Sequence, residues 1–99
     1  MANYPAFIGN LEKTDPQLFQ HVRGIFDAAM APGELDAKTK ILLAMALDAL
    51  AGADAGVKSL AQIARKMGVT DGQIAEALRI AYSVAGNKLL ATALAAFEE

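Results

Sequence analysis

Few side chains in this 99-residue sequence can do chemistry, and their types limit what that chemistry is. The chain has no cysteine. Thiol-peroxidase chemistry, disulfides and cysteine–zinc sites are therefore excluded, because a thiolate is the nucleophile or ligand in each. A single histidine, His21, rules against a multi-histidine metal centre within one chain, so neither a metal nor another cofactor is expected. Two residues remain as candidates for moving a proton. Asp48 interrupts the apolar run Ile41-Leu42-Leu43-Ala44-Met45-Ala46-Leu47. At ~100° per helical residue it lies about 20° from Ile41 around the axis. It reads either as a general base or polar anchor at a pocket floor, or as a solvated residue or inter-subunit ion-pair partner of Lys58, Lys88 or Arg79. His21, the one imidazole, is of the side-chain type suited to proton exchange near neutral pH. It borders the stripe through Leu18, Val22 and Ile25, which also fits an edge or interface residue. Tyr82 offers a hydroxyl to a ligand, or buries its ring with the hydroxyl at the rim. Gly56, with Ala53 and Ala55, leaves an open helix start that suits close helix packing or a ligand, and its backbone N–H groups can face an anion.

The elements that must position these residues are helices separated by Gly and Pro stops, with no alternating apolar/polar run that would mark a strand. Asp15-Pro16 predicts a helix start, Asp15 as N-cap and Pro16 at N1, where its missing N–H costs nothing. That helix stops at Ala31-Pro32-Gly33. Asp36 is expected to cap a helix over Ala37 to Ala51 that ends at Gly52. The next runs from about Asp54 to Met67, with Gly68 at the position that tolerates a left-handed backbone. Thr70-Asp71-Gly72-Gln73 has the form of a capping box, and Val69 can staple onto Ile74. The helix it opens is expected to stop at Gly86, with Asn87 beginning another that reaches Phe97. Residues 1–14, with Tyr4, Pro5, Phe7 and Ile8, form an N-terminal arm, extended or shortly helical, lying on a neighbour. The expectation is one all-α domain over residues 1–99 with five to six helices.

Composition bears on partners. The formal charge is −2 and the pI about 5.3, which gives a phosphate backbone no electrostatic attraction, so no nucleic-acid partner is expected. Met1 to Leu11 holds no long apolar run and no basic start followed by an apolar core, so no leader is expected. The longest apolar stretch, Ile41 to Ala53, is broken by Asp48 and falls short of the ~20 residues that span a bilayer, so no membrane is expected and a cytoplasmic location is. Yet 55% of the residues are hydrophobic, 22 are alanines, and mean hydropathy is +0.30. A chain this size buries only about 60–65% of its unfolded surface, which leaves apolar area for a homo-oligomer to cover.

Pro16-Gln17-Leu18-Phe19, Gly33-Glu34-Leu35-Asp36-Ala37-Lys38-Thr39-Lys40 and Ala64 to Ala77 (ARKMGVTDGQIAEA), followed by Gly86 and the Ala-rich stretch Leu89 to Phe97, together resemble the carboxymuconolactone decarboxylase family. That family includes the alkylhydroperoxidase D-like proteins. The resemblance covers nearly the whole chain and rests on the order and separation of these stretches. It implies an all-helical fold and a homo-oligomer, a hexamer first and a trimer second. In the peroxidase branch of that family a glutamate on one helix precedes C-x-x-C-x-x-x-H at the start of the next. Counted from Gly68, the resemblance places the histidine at Leu60, the cysteines at Gly56 and Ala53, and the glutamate at Ile41. The decarboxylase branch keeps a histidine at the position of Leu60, and it too is missing here. Asp48 stands on the helix face where the glutamate would be.

The expected function is therefore a family member without thiol-peroxidase residues that binds a small apolar or carboxylated molecule. The expected pocket is lined by Ile41, Met45, Asp48, Ala53, Gly56 and Leu60, with Tyr82 nearby. Two alternatives stand beside it. One is a cofactor-free decarboxylase or isomerase of a lactone or cyclic acid, using Asp48 as base with His21 or Tyr82 from the same or an adjacent subunit. The other is an oligomeric scaffold without catalysis.

Overall fold

The computed structural model describes residues 6–99, all helices and connections, with no strand among them. Tyr4 and Pro5 of the expected arm lie outside the described residues. The chain divides into two compact units, Met1–Ala37 and Lys38–Glu99, each described by itself.

In the first unit, α1 (Ala6–Thr14) packs against α2 (Pro16–Met30). The join is made by Asp15. Its backbone N–H donates to the Leu11 carbonyl at 2.8 Å, closing α1, and its side chain accepts from the Leu18 N–H at 3.1 Å, opening α2 with Pro16 at N1. The part of the arm after Pro5 is thus a helix, and Ile8 on it is buried. On α2, Phe19 is buried and Val22, Phe26 and Met30 are half-buried at helical spacing, whereas Leu18 and Ile25 face solvent. The inner face is the Phe19–Val22–Phe26 side of the apolar stripe that Leu18, Phe19, Val22, Ile25, Phe26 and Ala29 make in the sequence, with Leu18 and Ile25 at its solvent edge.

In the second unit, α3 (Ala37–Ala51) leads through a two-residue turn into α4 (Asp54–Lys66). Gly52 stands at φ +79°, and its N–H donates to the Ala49 carbonyl at 3.2 Å while the Ala53 N–H donates to the Asp48 backbone carbonyl at 2.8 Å. These two bonds make a Schellman closure, which satisfies carbonyls that the helix end leaves without partners. The same device ends α4. Gly68 has φ +89°, its N–H donates to Arg65 at 3.0 Å, and the Val69 N–H donates to Ala64 at 3.0 Å. The capping box forms as read: the Gln73 N–H donates to the Thr70 hydroxyl at 3.1 Å and the Thr70 N–H to the Gln73 side chain at 2.9 Å. Val69 and Ile74, the expected staple, are both buried. With Ile41, Met45, Ala61 and Ala64 they make up the buried apolar set of this unit, in which Met45 has no exposed surface.

One expectation is corrected. No helix ends at Gly86, because α5 runs unbroken from Asp71 to Ala93 and continues as a 3₁₀ turn, Leu94–Phe97. Gly86 has no positive φ, unlike Gly52 and Gly68. A glycine inside a helix costs only ~1 kcal/mol relative to alanine, which lowers propensity without breaking the hydrogen-bond ladder. The 27 residues Asp71–Phe97 are consequently long and apolar enough, by length and composition, to cross a membrane, a stretch that the expected break would have divided.

Candidate functional site

The end of α3 and the start of α4 bring the most informative pair of residues together. Asp48 lies in the last turn of α3, and Gly56 is the third residue of α4. The tight turn at Gly52-Ala53 reverses the chain so that the Asp48 carboxylate lies against the bare α-carbon of Gly56. A Cβ built on Gly56 would stand 3.0 Å from Asp48 Cγ and would overlap Oδ2. Only a glycine leaves room for the carboxylate in this position. Both residues are half-buried.

This placement has an electrostatic reason. The first N–H groups of a helix are unsatisfied and its N-terminus carries a partial positive charge, so carboxylates are favoured there. The N-cap of α4 is Ala53, whose side chain can make no capping bond. Asp54, in the first turn, and Asp48, arriving from the preceding helix, supply negative charge at that end. No hydrogen bond or ion pair from any described residue holds the Asp48 carboxylate, which leaves its oxygens free to accept from a ligand.

The other sequence candidates fall as follows. Ile41 and Met45 are buried within the unit, Leu60 is half-buried, and Ala53 is exposed at the turn. Tyr82 is on α5 with 78% of its surface exposed, so its ring is not packed away. His21 belongs to α2 in the first unit and is exposed. Among the described residues no three His, Asp or Glu side chains cluster closely enough to hold a metal ion.

Beside the Asp48–Gly56 contact lies an open depression of about 300 Å³, lined by Ala49, Gly52, Ala53, Asp54, Val57 and Lys58. Its surface is predominantly apolar, from the alanines and Val57, and its two charged side chains are Asp54 and Lys58. Of the lining residues expected from sequence, Ala53 borders it. Val57 has no role in the sequence reading, and Lys58 enters it only as an ion-pair partner for Asp48. The available signal was their position directly after Gly56, on the exposed side of a helix start that the turn at Gly52 holds open.

Of the catalytic set that the family resemblance implies, none of the functional types is present. Leucine, glycine, alanine and isoleucine occupy the four positions, and the Asp48 carboxylate lies against one of them, Gly56. Comparison with known proteins gives the same family as the motif order. Residues 16–99 match the carboxymuconolactone decarboxylase family, a span that takes in α2 to α5 and the closing 3₁₀ turn. No curated protein matches the chain. The all-helical architecture, the Gly68-to-Gln73 punctuation and the 16–99 match agree, and this chain belongs to the carboxymuconolactone decarboxylase family, in a form without the C-x-x-C-x-x-x-H site.

Proposed function

We propose that this chain is a self-assembling, non-peroxidatic member of its family that binds a small apolar or carboxylated molecule at the start of α4. The observation that carries the reading is the depression itself. It pairs an apolar wall from Ala49, Ala53 and Val57 with one cation, Lys58. Its volume of about 300 Å³ is at the lower end of small-molecule sites and suits a one-ring acid. The ring would cover the alanines and Val57, and the carboxylate would face Lys58 rather than Asp54 or Asp48. Self-assembly as a hexamer or a trimer, in the cytoplasm, remains part of this proposal.

The test is a titration of the isotopically labelled protein with benzoate and with cyclohexanecarboxylate, followed by amide NMR shifts. Saturable shifts confined to residues around Ala53 and Val57, abolished in Val57→Trp, would support the site. Shifts scattered over the surface, or saturation unaffected by Val57→Trp, would refute it.

The unbonded, half-buried carboxylate of Asp48 favours a second reading, acid–base catalysis on a lactone or cyclic acid, with Tyr82, or His21 of another subunit, as partner. General-base help of this kind supplies about 10²–10⁴-fold. It predicts solvent deuterium exchange into the acidic C–H of an unsaturated γ-lactone, slowed by that order in Asp48→Asn. Equal exchange in both proteins removes Asp48 from any such reaction.

A further inference from the structure

The C-terminal half of α5 holds large apolar side chains that the rest of its own unit leaves uncovered. In the first half, Ile74 is buried and Ala77, Leu78 and Ala81 are half-buried, which defines an inner face. From Tyr82 to the end of the chain no residue is buried. Like Tyr82 and Leu89, which stand on the opposite side of the helix, Ile80, Val84, Leu90, Leu94 and Phe97 are each more than half exposed. Their order is not random around the helix. Ile80, Val84, Asn87, Ala91 and Leu94 follow one another at spacings of four, three, four and three, the a/d repeat of a helix–helix seam. Leu90 flanks that seam on the side away from the inner face. Phe97 stands over Leu94, because residues three apart eclipse in a 3₁₀ turn. The result is one apolar arc of about 140° or less, turned away from the face that carries Ile74.

We propose that this arc is the surface by which one copy of the chain docks on another, with Asn87 inside the seam setting its register. The inference rests on the self-assembly proposed above, in its hexameric form, where two-fold axes can relate subunits, and names where it occurs. Two observations select a second copy as the occupant. The five large side chains, each more than half exposed, offer the central apolar part of the ~800 Å² that each partner contributes to a stable interface of standard size. The seam is also self-complementary. Ile80 and Leu94 lie at equal distances in sequence from Asn87, and Val84 and Ala91 at nearly equal ones, so a two-fold axis at Asn87 sets large against large or small and amide against amide. A lone amide at a core position of a helix seam costs stability but disfavours slipped registers, in which it would be buried without a partner. A lipid bilayer, the other apolar environment a helix of this length can enter, is disfavoured by the same sequence. Asn87 and Lys88 sit near the middle of Asp71–Phe97, where hydrocarbon tolerates charge least.

The absence of cysteine makes the test clean, since a single introduced thiol is the only one in the chain. Asn87→Cys is expected to form an intermolecular disulfide on mild oxidation of the native assembly, and Gln62→Cys, on the exposed side of α4, is not. Sedimentation of Ile80→Asp/Leu94→Asp, with helicity checked by circular dichroism, is expected to show a smaller species than the parent chain. A parent chain that sediments as a monomer overturns both this proposal and self-assembly. A folded Ile80→Asp/Leu94→Asp protein that keeps the parent's size overturns the α5 seam alone and leaves self-assembly standing elsewhere. Recovery of the parent chain solely from membranes, soluble only in detergent, assigns the arc to lipid and overturns the proposal.

Discussion

The Asp48 carboxylate occupies the space that a side chain at position 56 would need, so each of these residues determines what the other can be. The dependence follows from the turn between them. Gly52 at φ +79° lets α3 close with the Ala53-to-Asp48 bond, and that closure sets the first turn of α4 beside the last turn of α3. The position to which the family resemblance assigns a cysteine of the peroxidase branch is here occupied by Gly56, against which a carboxylate from the neighbouring helix lies.

A double-mutant cycle measures the contact. In an Asp48→Ala background, Gly56→Ala adds a methyl to a helix with nothing from position 48 beyond Cβ to displace, and should stabilise by about 0.5–1 kcal/mol. With Asp48 present, the new Cβ must swing the carboxylate out of its position at the helix start, and the gain should shrink to near zero or reverse. Urea unfolding of the four proteins checks this. Equal effects of Gly56→Ala in both backgrounds would mean that the carboxylate does not rest there in solution.

The glycines separate turn from helix by a second experiment. Gly68→Ala places a Cβ at φ +89°, a left-handed conformation that costs a non-glycine residue roughly 1–2 kcal/mol, and near Lys38 Nζ at 3.7 Å. Gly86→Ala adds a methyl to a helix interior with open space around it and should stabilise by about 0.5–1 kcal/mol. Thermal unfolding should therefore shift in opposite directions for the two variants. The same direction for both would place a break at Gly86 after all.

That contrast also shows what the sequence reveals and what it hides. Gly52, Gly68 and the Thr70-Gln73 box are legible because each sits beside other signals, a periodic apolar run ending or a cap beginning. Gly86 has no such neighbour. Asn87 after it can cap a new helix or continue the old one, and only the uninterrupted ladder of α5 decides between them. Which edge of α2's apolar stripe turns inward was hidden for a related reason: Leu18, Phe19, Val22, Ile25 and Phe26 are all apolar, so the pattern does not choose between its Phe19 and Leu18 sides. At the candidate site, Asp48 stood out as a charge within an apolar run. Its neighbour across the turn did not, because a glycine's reason is a contact with a residue eight positions away, which no local pattern records.

The capping box gives a prediction of known sign. Thr70→Ala removes the acceptor that holds the Gln73 N–H at 3.1 Å, and loss of such an N-cap costs about 1 kcal/mol. Thr70→Ser keeps the hydroxyl and should lose less than half as much. Amide hydrogen exchange should show the change first at residues 72–74. An unaltered exchange pattern in Thr70→Ala would mean that Asp71 and the Arg65 guanidinium, paired at 2.9 Å, hold the helix start without the cap.

Lys58 decides whether the depression beside α4 prefers acids. Among the described residues it is the only cation lining it, and an exposed ion pair contributes about 0.2–1 kcal/mol, which corresponds to less than tenfold in affinity. Lys58→Met keeps a long apolar stem and removes the charge. For a bound carboxylate such as benzoate it should weaken binding by about two- to fivefold, and the loss should fade in high salt, where exposed charges are screened. For the neutral amide of the same ring it should leave affinity unchanged or slightly improved, since methionine still covers the apolar wall. The comparison needs both ligands. If Lys58→Met weakens acid and amide alike, the side chain acts by packing and the site selects for shape. If it weakens neither while Val57→Trp abolishes both, the molecule binds on the Ala49–Val57 side without its carboxylate reaching the lysine, and an apolar compound rather than an acid is the ligand to pursue.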